Sequence, residues 1–129
     1  MRIDHVALWV RDLEKSREFY CHYFSGKSND LYDNPKKEFQ SYFVTFDSGA
    51  RLELMHSRKI KESSDNAFNP CFGLAHFAIA VGSKEEVDRI TYLMKNDGCK
   101  LISGPRMTGD GYYESCIEDP DGNTLEIVS

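Results

Sequence analysis

The 129-residue chain has a net charge of −5 and is 40% apolar, 12% aromatic and 29% charged, the composition of one ordinary globular domain rather than a disordered segment. The acidic balance, with Arg58-Lys59-Ile-Lys61 as its longest basic stretch, argues against a nucleic-acid or anionic-membrane surface. No apolar run approaches a membrane span, and Met1 to His5 leaves no room for a charged and apolar leader pattern, so none is expected. Cys21, Cys71, Cys99 and Cys116 form no CxxC pair and read as reduced thiols, so a cytoplasmic protein is expected.

Alternation from Ile3 to Val10 puts Val6, Leu8 and Val10 on one face of a strand and His5, Ala7 and Trp9 on the other. The aliphatic face calls for a helix. Asp12 can cap one, with Leu13, Phe19, Tyr20, Tyr23 and Phe24 as its apolar side and Gly26 as its stop. Asp30 to Lys37 reads as polar loop, and Phe39 to Phe46 as a strand whose Tyr42, Phe43 and Phe46 belong to a core or an interface. Asp47-Ser48-Gly49 then turns the chain into a strand from Arg51 to His56. The result is a βαββ-type unit.

The run from Ser57 to Asn69 is polar and aperiodic and marks a connection. After a strand over Leu74 to Val81, Ser83 and Glu86 make a capping box ahead of Val87, Ile90, Leu93 and Met94, and Gly98 stands at the helix end. Cys99 to Ile102, Tyr112 to Glu118 and Thr124 to Val128 read as strands, the last two joined by the turn Asp119-Pro-Asp-Gly-Asn123. Gly104 to Gly111 is glycine-rich but lacks phosphate-loop spacing and a following helix. It reads as a mobile cover over a site or, equally, as a long hairpin connection. Met107 in that loop and Tyr113 beyond it are candidate substrate contacts.

The two halves repeat one another. His5-Val-Ala-Leu-Trp-Val10 returns as His76-Phe-Ala-Ile-Ala-Val81, and Gly49-Ala-Arg-Leu-Glu53 as Gly122-Asn-Thr-Leu-Glu126, at offsets of 76 − 5 = 71 and 126 − 53 = 73. A single domain over 1–129 is therefore expected, with a first module over 1–57, a linker over 58–72 and a second module over 73–129. Packing explains the repeated aliphatic residues but not an imidazole and a carboxylate repeated in step with them. Period-two geometry turns His5, Glu53, His76 and Glu126 away from the helix-packed faces, with small Ala7 and Ala78 beside them.

Taken singly, a strand His is commonly a hydrogen-bonded packing residue and a strand Glu a solvated one. The fourfold coincidence points instead to a divalent metal site that leaves positions open for water or substrate. Nitrogen and oxygen ligands serve nickel, cobalt or zinc, and also manganese or iron. Two carboxylates bring the formal charge near zero, and a ligating Glu that dissociates can act as a base. His22 and His56 fall outside the repeat and read as packing residues.

Asp4-His5-Val-Ala-Leu-Trp-Val-Arg-Asp-Leu-Glu-Lys-Ser-Arg-Glu-Phe-Tyr20, Leu52-Glu53-Leu54, Gly73-Leu-Ala-His76-Phe-Ala-Ile, Asp119-Pro-Asp-Gly-Asn123 and Leu125-Glu126-Ile127 together resemble the vicinal oxygen chelate superfamily. That superfamily includes glyoxalase I, methylmalonyl-CoA epimerase, extradiol dioxygenases and bleomycin resistance proteins. The resemblance covers the whole chain and implies an α+β fold, two tandem βαβββ modules forming a cupped open sheet. It implies that His5, Glu53, His76 and Glu126 bind the metal and that Glu126 is the proton carrier, with Glu53 its partner. A His and Glu pairing favours a lactoylglutathione lyase-like enzyme of glyoxalase I type, acting on a small molecule that chelates through vicinal oxygens. In small relatives two chains build each site, which implies a homodimer with sites at the interface.

The chain also departs from that pattern. Trp9 and Ser57 stand where short glyoxalase I enzymes resemble one another in carrying an Arg and an Asn for glutathione carboxylates. This argues against glutathione, makes Trp9 an apolar pocket wall and leaves Arg51 as a candidate anion contact. The alternatives are a non-catalytic binding or resistance protein, whose relatives generally lack the full ligand set, and an extradiol-type dioxygenase, whose relatives use three ligands.

Overall fold

The structure, a computed structural model, describes residues 2–61, 74–109 and 111–129. Contacts divide the chain into two compact units, Met1–Glu62 and Ser63–Ser129. Most of the expected linker, and Cys71, lie outside the described residues.

In the first unit β1 (His5–Trp9) leads through α1 (Leu13–Phe24) to the short strands β2 (Lys27–Ser28) and β3 (Tyr32–Asn34), then to β4 (Phe39–Thr45) and β5 (Arg51–Ser57). The sheet order is β1-β5-β4-β2, with β3 also on β4. β1 runs parallel to β5 although the two are first and last in the unit. Leu8, Val10, Tyr42, Val44, Leu52 and Leu54 are buried, as are Leu13, Phe19 and Tyr20 of α1, so the aliphatic strand faces pack on the helix as their alternation requires.

Asp12 caps α1 by accepting from the Lys15 backbone N–H at 3.0 Å. Two expectations need correction here. The left-handed residue ending α1 is Ser25, at φ 53°; Gly26 is small for a different reason, because a Cβ there would lie 2.5 Å from Val44 Cγ1. The polar stretch Asp30 to Lys37 contains β3. Of the aromatic cluster, Tyr42 is buried and donates to Glu14 Oε1 at 2.6 Å, while Phe43 is half-buried and stands edge-on to His5, with ring centroids 5.4 Å apart.

In the second unit β6 (Phe77–Ala80), α2 (Lys84–Asn96), β7 (Leu101–Met107), β8 (Tyr113–Glu118) and β9 (Thr124–Val128) follow the same plan. The order is β6-β9-β8-β7, again with first and last strands parallel. The expected α+β fold is thus present, each unit a mixed sheet with one helix. Val87, Ile90, Thr91 and Met94 of α2 are buried, as are Ile117, Leu125 and Ile127 of the sheet.

Ser83 Oγ accepts from Glu86 N at 3.2 Å, but the Glu86 carboxylate is taken by Arg89, so only half of the expected capping box forms. At the other end Gly98 N reaches Lys95 O at 3.1 Å and Cys99 N reaches Met94 O at 2.9 Å, the paired bonds of a Schellman stop. The connection Asp119 to Asn123 closes on the Asp119 carboxylate, which accepts from Asp121 N and Asn123 N, both at 2.9 Å.

The first half of the glycine-rich stretch read as a mobile cover or a long hairpin connection, Gly104 to Met107, is strand. β7 runs through Gly104, Pro105 and Arg106 to Met107, with register shifts against β8. An edge strand tolerates a proline and bulges, and Gly104 is needed because a Cβ there would stand 2.6 Å from the Glu114 carbonyl oxygen.

Candidate functional site

Each unit builds the same corner. β1 and β5 pair in parallel with Ala7 opposite Glu53, and β6 and β9 pair in parallel with Ala78 opposite Glu126. In both units the histidine lies two residues ahead of that alanine, on the same pleat face and diagonal to the glutamate. His5 Nε2 lies 3.7 Å from Glu53 Oε2, and His76 Nε2 lies 3.2 Å from Glu126 Oε2. Exposure repeats as well: 41% and 17% for His5 and Glu53, 44% and 18% for His76 and Glu126. The imidazoles are open to solvent and the carboxylates half-covered, as a corner accessible to an incoming ion requires.

The spacing carries chemical meaning. Two ligand atoms each about 2.1 Å from one ion lie about 3.0 Å apart at a right angle and about 3.4 Å apart at the tetrahedral angle. The second pair falls within that interval and the first within a few tenths of an ångström of it. Each corner thus offers one nitrogen and one oxygen at the spacing of neighbouring ligands.

The surroundings of the two corners differ. Beside the first, Asp4 Oδ2 is 3.0 Å from His5 Nδ1 and pairs with Arg51 Nη2. Hydrogen bonds from His5 and Arg51, with the Arg51 charge, hold the Asp4 carboxyl at about 2. Arg51 also lies over the Phe43 ring, 4.4 Å from its centroid. The guanidinium expected to meet a substrate anion is therefore engaged by Asp4 and Phe43.

Beside the second corner, Cys116 is the cross-strand partner of Glu126, as Phe43 is of Glu53. Its thiol donates to Glu126 Oε1 at 3.7 Å, and burial pushes the thiol above its usual range, which keeps it protonated at neutral pH. Among the described residues, Glu114, Cys116 and Glu126 offer ligand atoms all within 4.8 Å of one another, a grouping that could hold a metal ion. Glu114 Oε1 already accepts from Arg106 Nη1 at 3.1 Å, and Cys116 would bind an ion only as a thiolate. Glu126, shared with His76, is the member best placed to bind a cation.

The remaining expected contacts divide. Trp9 is 45% exposed on the His5 face of β1, edge-on to Phe39 at 6.1 Å. Tyr113 donates to Asp88 Oδ1 of α2 at 2.7 Å, and Met107 is its direct cross-strand partner. The pleat therefore sets both on the helix side of β8, opposite the face of Cys116 and Glu126. His56 bonds the Val10 carbonyl at 3.0 Å, the packing role expected of it.

Sequence reasoning missed Asp4, Glu114 and Cys116. For Cys116 a signal was present: with Glu118 opposite Thr124 across the turn, alternate residues place Cys116 opposite Glu126. Asp4, exposed and next to His5, carried none.

The fold and the paired corners define a duplicated α+β module protein, and comparison with known proteins agrees. The family model for the Glyoxalase/Bleomycin resistance protein/Dioxygenase superfamily matches residues 2–127, and the chain belongs to that superfamily. It is 27% identical over 131 residues to "Lactoylglutathione lyase GLX1" of Arabidopsis thaliana, covering 98% of this chain and 44% of the relative, so the chain spans less than half of that plant protein. It is 29% identical over 130 residues to the uncharacterized protein YqjT of Bacillus subtilis, covering 97% and 96% of the two chains. In structure it is similar to a glyoxylase/bleomycin resistance protein/dioxygenase domain from Frankia, with a TM-score of 0.82 at 19% identity and coverage of 99% and 96%, which shows the fold. Among the described residues no helix is long and apolar enough to cross a membrane.

Proposed function

We propose that the chain is a metal-dependent lyase or isomerase of glyoxalase I type, in which His5, Glu53, His76 and Glu126 together ligate one divalent ion. The observation that carries this reading is the repetition, in two units, of an imidazole and a carboxylate at ligand spacing. Structural packing has no need for such a corner twice, at matching exposure.

When bound, the ion supplies a Lewis acid that polarises the vicinal oxygens of a chelating substrate and makes the neighbouring C–H more acidic. The chain's own groups do the rest. Glu126, once its Oε2 has left the ion, would take the proton beside the carbonyl and return it to the adjacent carbon while the hydroxyl proton passes between the two vicinal oxygens, an isomerisation that balances without an oxidant or reductant. Cys116 holds the other oxygen, Oε1, and so keeps the carboxylate turned toward the reacting face. Glu53 keeps its carboxylate as the partner ligand, and Trp9 provides a flat apolar wall in the pocket. The similarity to lactoylglutathione lyases supports this class, while Trp9 in place of an arginine favours a smaller or less charged thiol carrier than glutathione.

Nickel, cobalt or zinc suits the nitrogen and oxygen set, as do manganese and iron. We propose further a homodimer with sites at the subunit interface, as in similar small enzymes, acting in the reducing cytoplasm. Free thiols at Cys21 and Cys116 support that compartment.

The test is metal-dependent exchange of the lactoyl α-proton with deuterated solvent, using lactoylglutathione and a lactoyl thioester of a smaller thiol. Exchange that vanishes with a chelator and returns with a divalent ion is expected. Protein purified without stoichiometric metal, and indifferent to chelator, would replace this reading with that of a binding protein.

A further inference from the structure

We propose that Asp4 is a positioning residue for His5, anchored by Arg51, so that the first half-site is preorganised in the tautomer a metal needs while the second is not. The proposal rests on the reading of His5 as a ligand.

The contacts form a closed ring. His5 Nδ1 meets Asp4 Oδ2 at 3.0 Å, Asp4 pairs with the Arg51 guanidinium, Arg51 lies over Phe43 at 4.4 Å, and Phe43 stands edge-on to His5 at 5.4 Å. The backbone ties the same pair together, since Arg51 N donates to Asp4 O at 2.9 Å. Every side chain in the ring has two partners, so the imidazole plane is fixed from both sides.

Direction within the ring follows from chemistry. An ionised carboxylate only accepts and a guanidinium only donates, so the proton between Asp4 and His5 sits on Nδ1. In the neutral ring Nε2 then carries a lone pair, and it faces the Glu53 carboxylate. Two acceptors opposed at 3.7 Å gain nothing from each other, and a cation between them satisfies both. A ligating histidine whose other nitrogen donates to a carboxylate is also the commonest way proteins orient such a ring.

The duplication provides an internal control. At the repeat offsets Asp4, Arg51 and Phe43 correspond to Ala75, Thr124 and Cys116. None of the three can rebuild the ring: an alanine has no carboxylate, a threonine no charge and a cysteine no aromatic face. His76 stands 3.2 Å from Glu126, a neighbour that favours the proton on Nε2, which must leave before that nitrogen can ligate. In the second copy the extra bond falls on the carboxylate instead, from the Cys116 thiol. The two copies have divided the work: one fixes an imidazole, the other a carboxylate.

The experiment uses metal-free, nitrogen-15-labelled protein at about pH 8, where an ordinary imidazole is neutral, and reads each ring's tautomer by long-range proton–nitrogen correlation. His5 is expected as the Nδ1–H form. Asp4→Ala should abolish that preference, leave the His76 signals in place and weaken zinc binding, by chelator competition, about 10- to 100-fold. Arg51→Met should act in the same direction with a smaller loss. Asp4 is an exposed side chain, so these variants keep the fold, and Asp4→Asn, which retains an acceptor for Nδ1–H, should restore the tautomer. An unchanged His5 tautomer in Asp4→Ala overturns the proposal, and so does a changed tautomer with parental zinc affinity. Failure of the underlying reading looks different: His5→Ala would then bind zinc as the parent does, while the tautomer results stand.

Discussion

Thr91→Val probes the clamp that holds β8, the strand bearing Cys116, against α2. Thr91 and Ser115 are fully buried, and Thr91 Oγ1 lies 2.6 Å from both the Val87 carbonyl and Ser115 Oγ. One threonine proton cannot serve both, so Thr91 donates to the carbonyl and Ser115 donates to Thr91. Valine fills the same volume, leaving no cavity. The loss is two hydrogen bonds, about 0.5–1.5 kcal/mol each, and the Ser115 hydroxyl is left unpaired in the interior. A destabilisation of about 2–3 kcal/mol is expected. Ser115→Ala leaves the Thr91 donation intact and should cost about 1 kcal/mol. The double variant removes both polar groups and should fall short of the summed single effects by about 1–2 kcal/mol. Urea unfolding followed by far-ultraviolet circular dichroism measures all three. Additivity within about 0.5 kcal/mol, or a neutral Thr91→Val, would refute this assignment of the hydrogen bonds.

Glu126→Gln and Glu53→Gln, compared at saturating metal, should separate the two carboxylates: α-proton exchange drops about 10²- to 10⁴-fold in the first and much less in the second. Equal rates would remove the distinction between base and partner. Cys116→Ala deletes the donor to Glu126 Oε1 and should lower the exchange rate at full metal occupancy without changing the His5 tautomer. Ser83→Ala removes the α2 cap and should cost about 1 kcal/mol in the same urea assay. The Tyr42 hydroxyl, then Arg17, holds the Glu14 carboxyl below its ordinary value of 4.5. That stabilising contribution is present above 4.5 and fades as pH falls through the lowered folded value. Tyr42→Phe should move the Glu14 midpoint upward toward 4.5 in a carboxyl-carbon NMR titration.

The parts of this molecule that follow a short-range rule could be read from the chain. Pleat parity put His5 with Trp9 and Glu53 with Met55, and the exposure of β5 alternates accordingly. The cap at Asp12 and the turn at Asp119 depend only on neighbours. The parallel register of β1 on β5 does not, because nothing local measures the offset between strands joined through a helix and three other strands. Gly104 and Pro105 suggested a loop because both residues are depleted in strands; their position on the edge strand β7 removes that objection. Strands of two and three residues, such as β2 and β3, are too short to display a period. The pairing of Asp4 with Arg51 was not legible because it needs the β1–β5 register before it exists, and so Arg51 read as a contact for a substrate anion.

The parallel pairing of first and last strands also sets an order of events. Glu53 follows His5 by 53 − 5 = 48 residues and Glu126 follows His76 by 126 − 76 = 50, so neither histidine–glutamate corner exists until its module has closed end to end. Such distant contacts form late, since a long intervening segment must be ordered first. A nascent or half-folded chain therefore has only single imidazoles and single carboxylates, and the finished topology alone brings each pair to the spacing of neighbouring ligands.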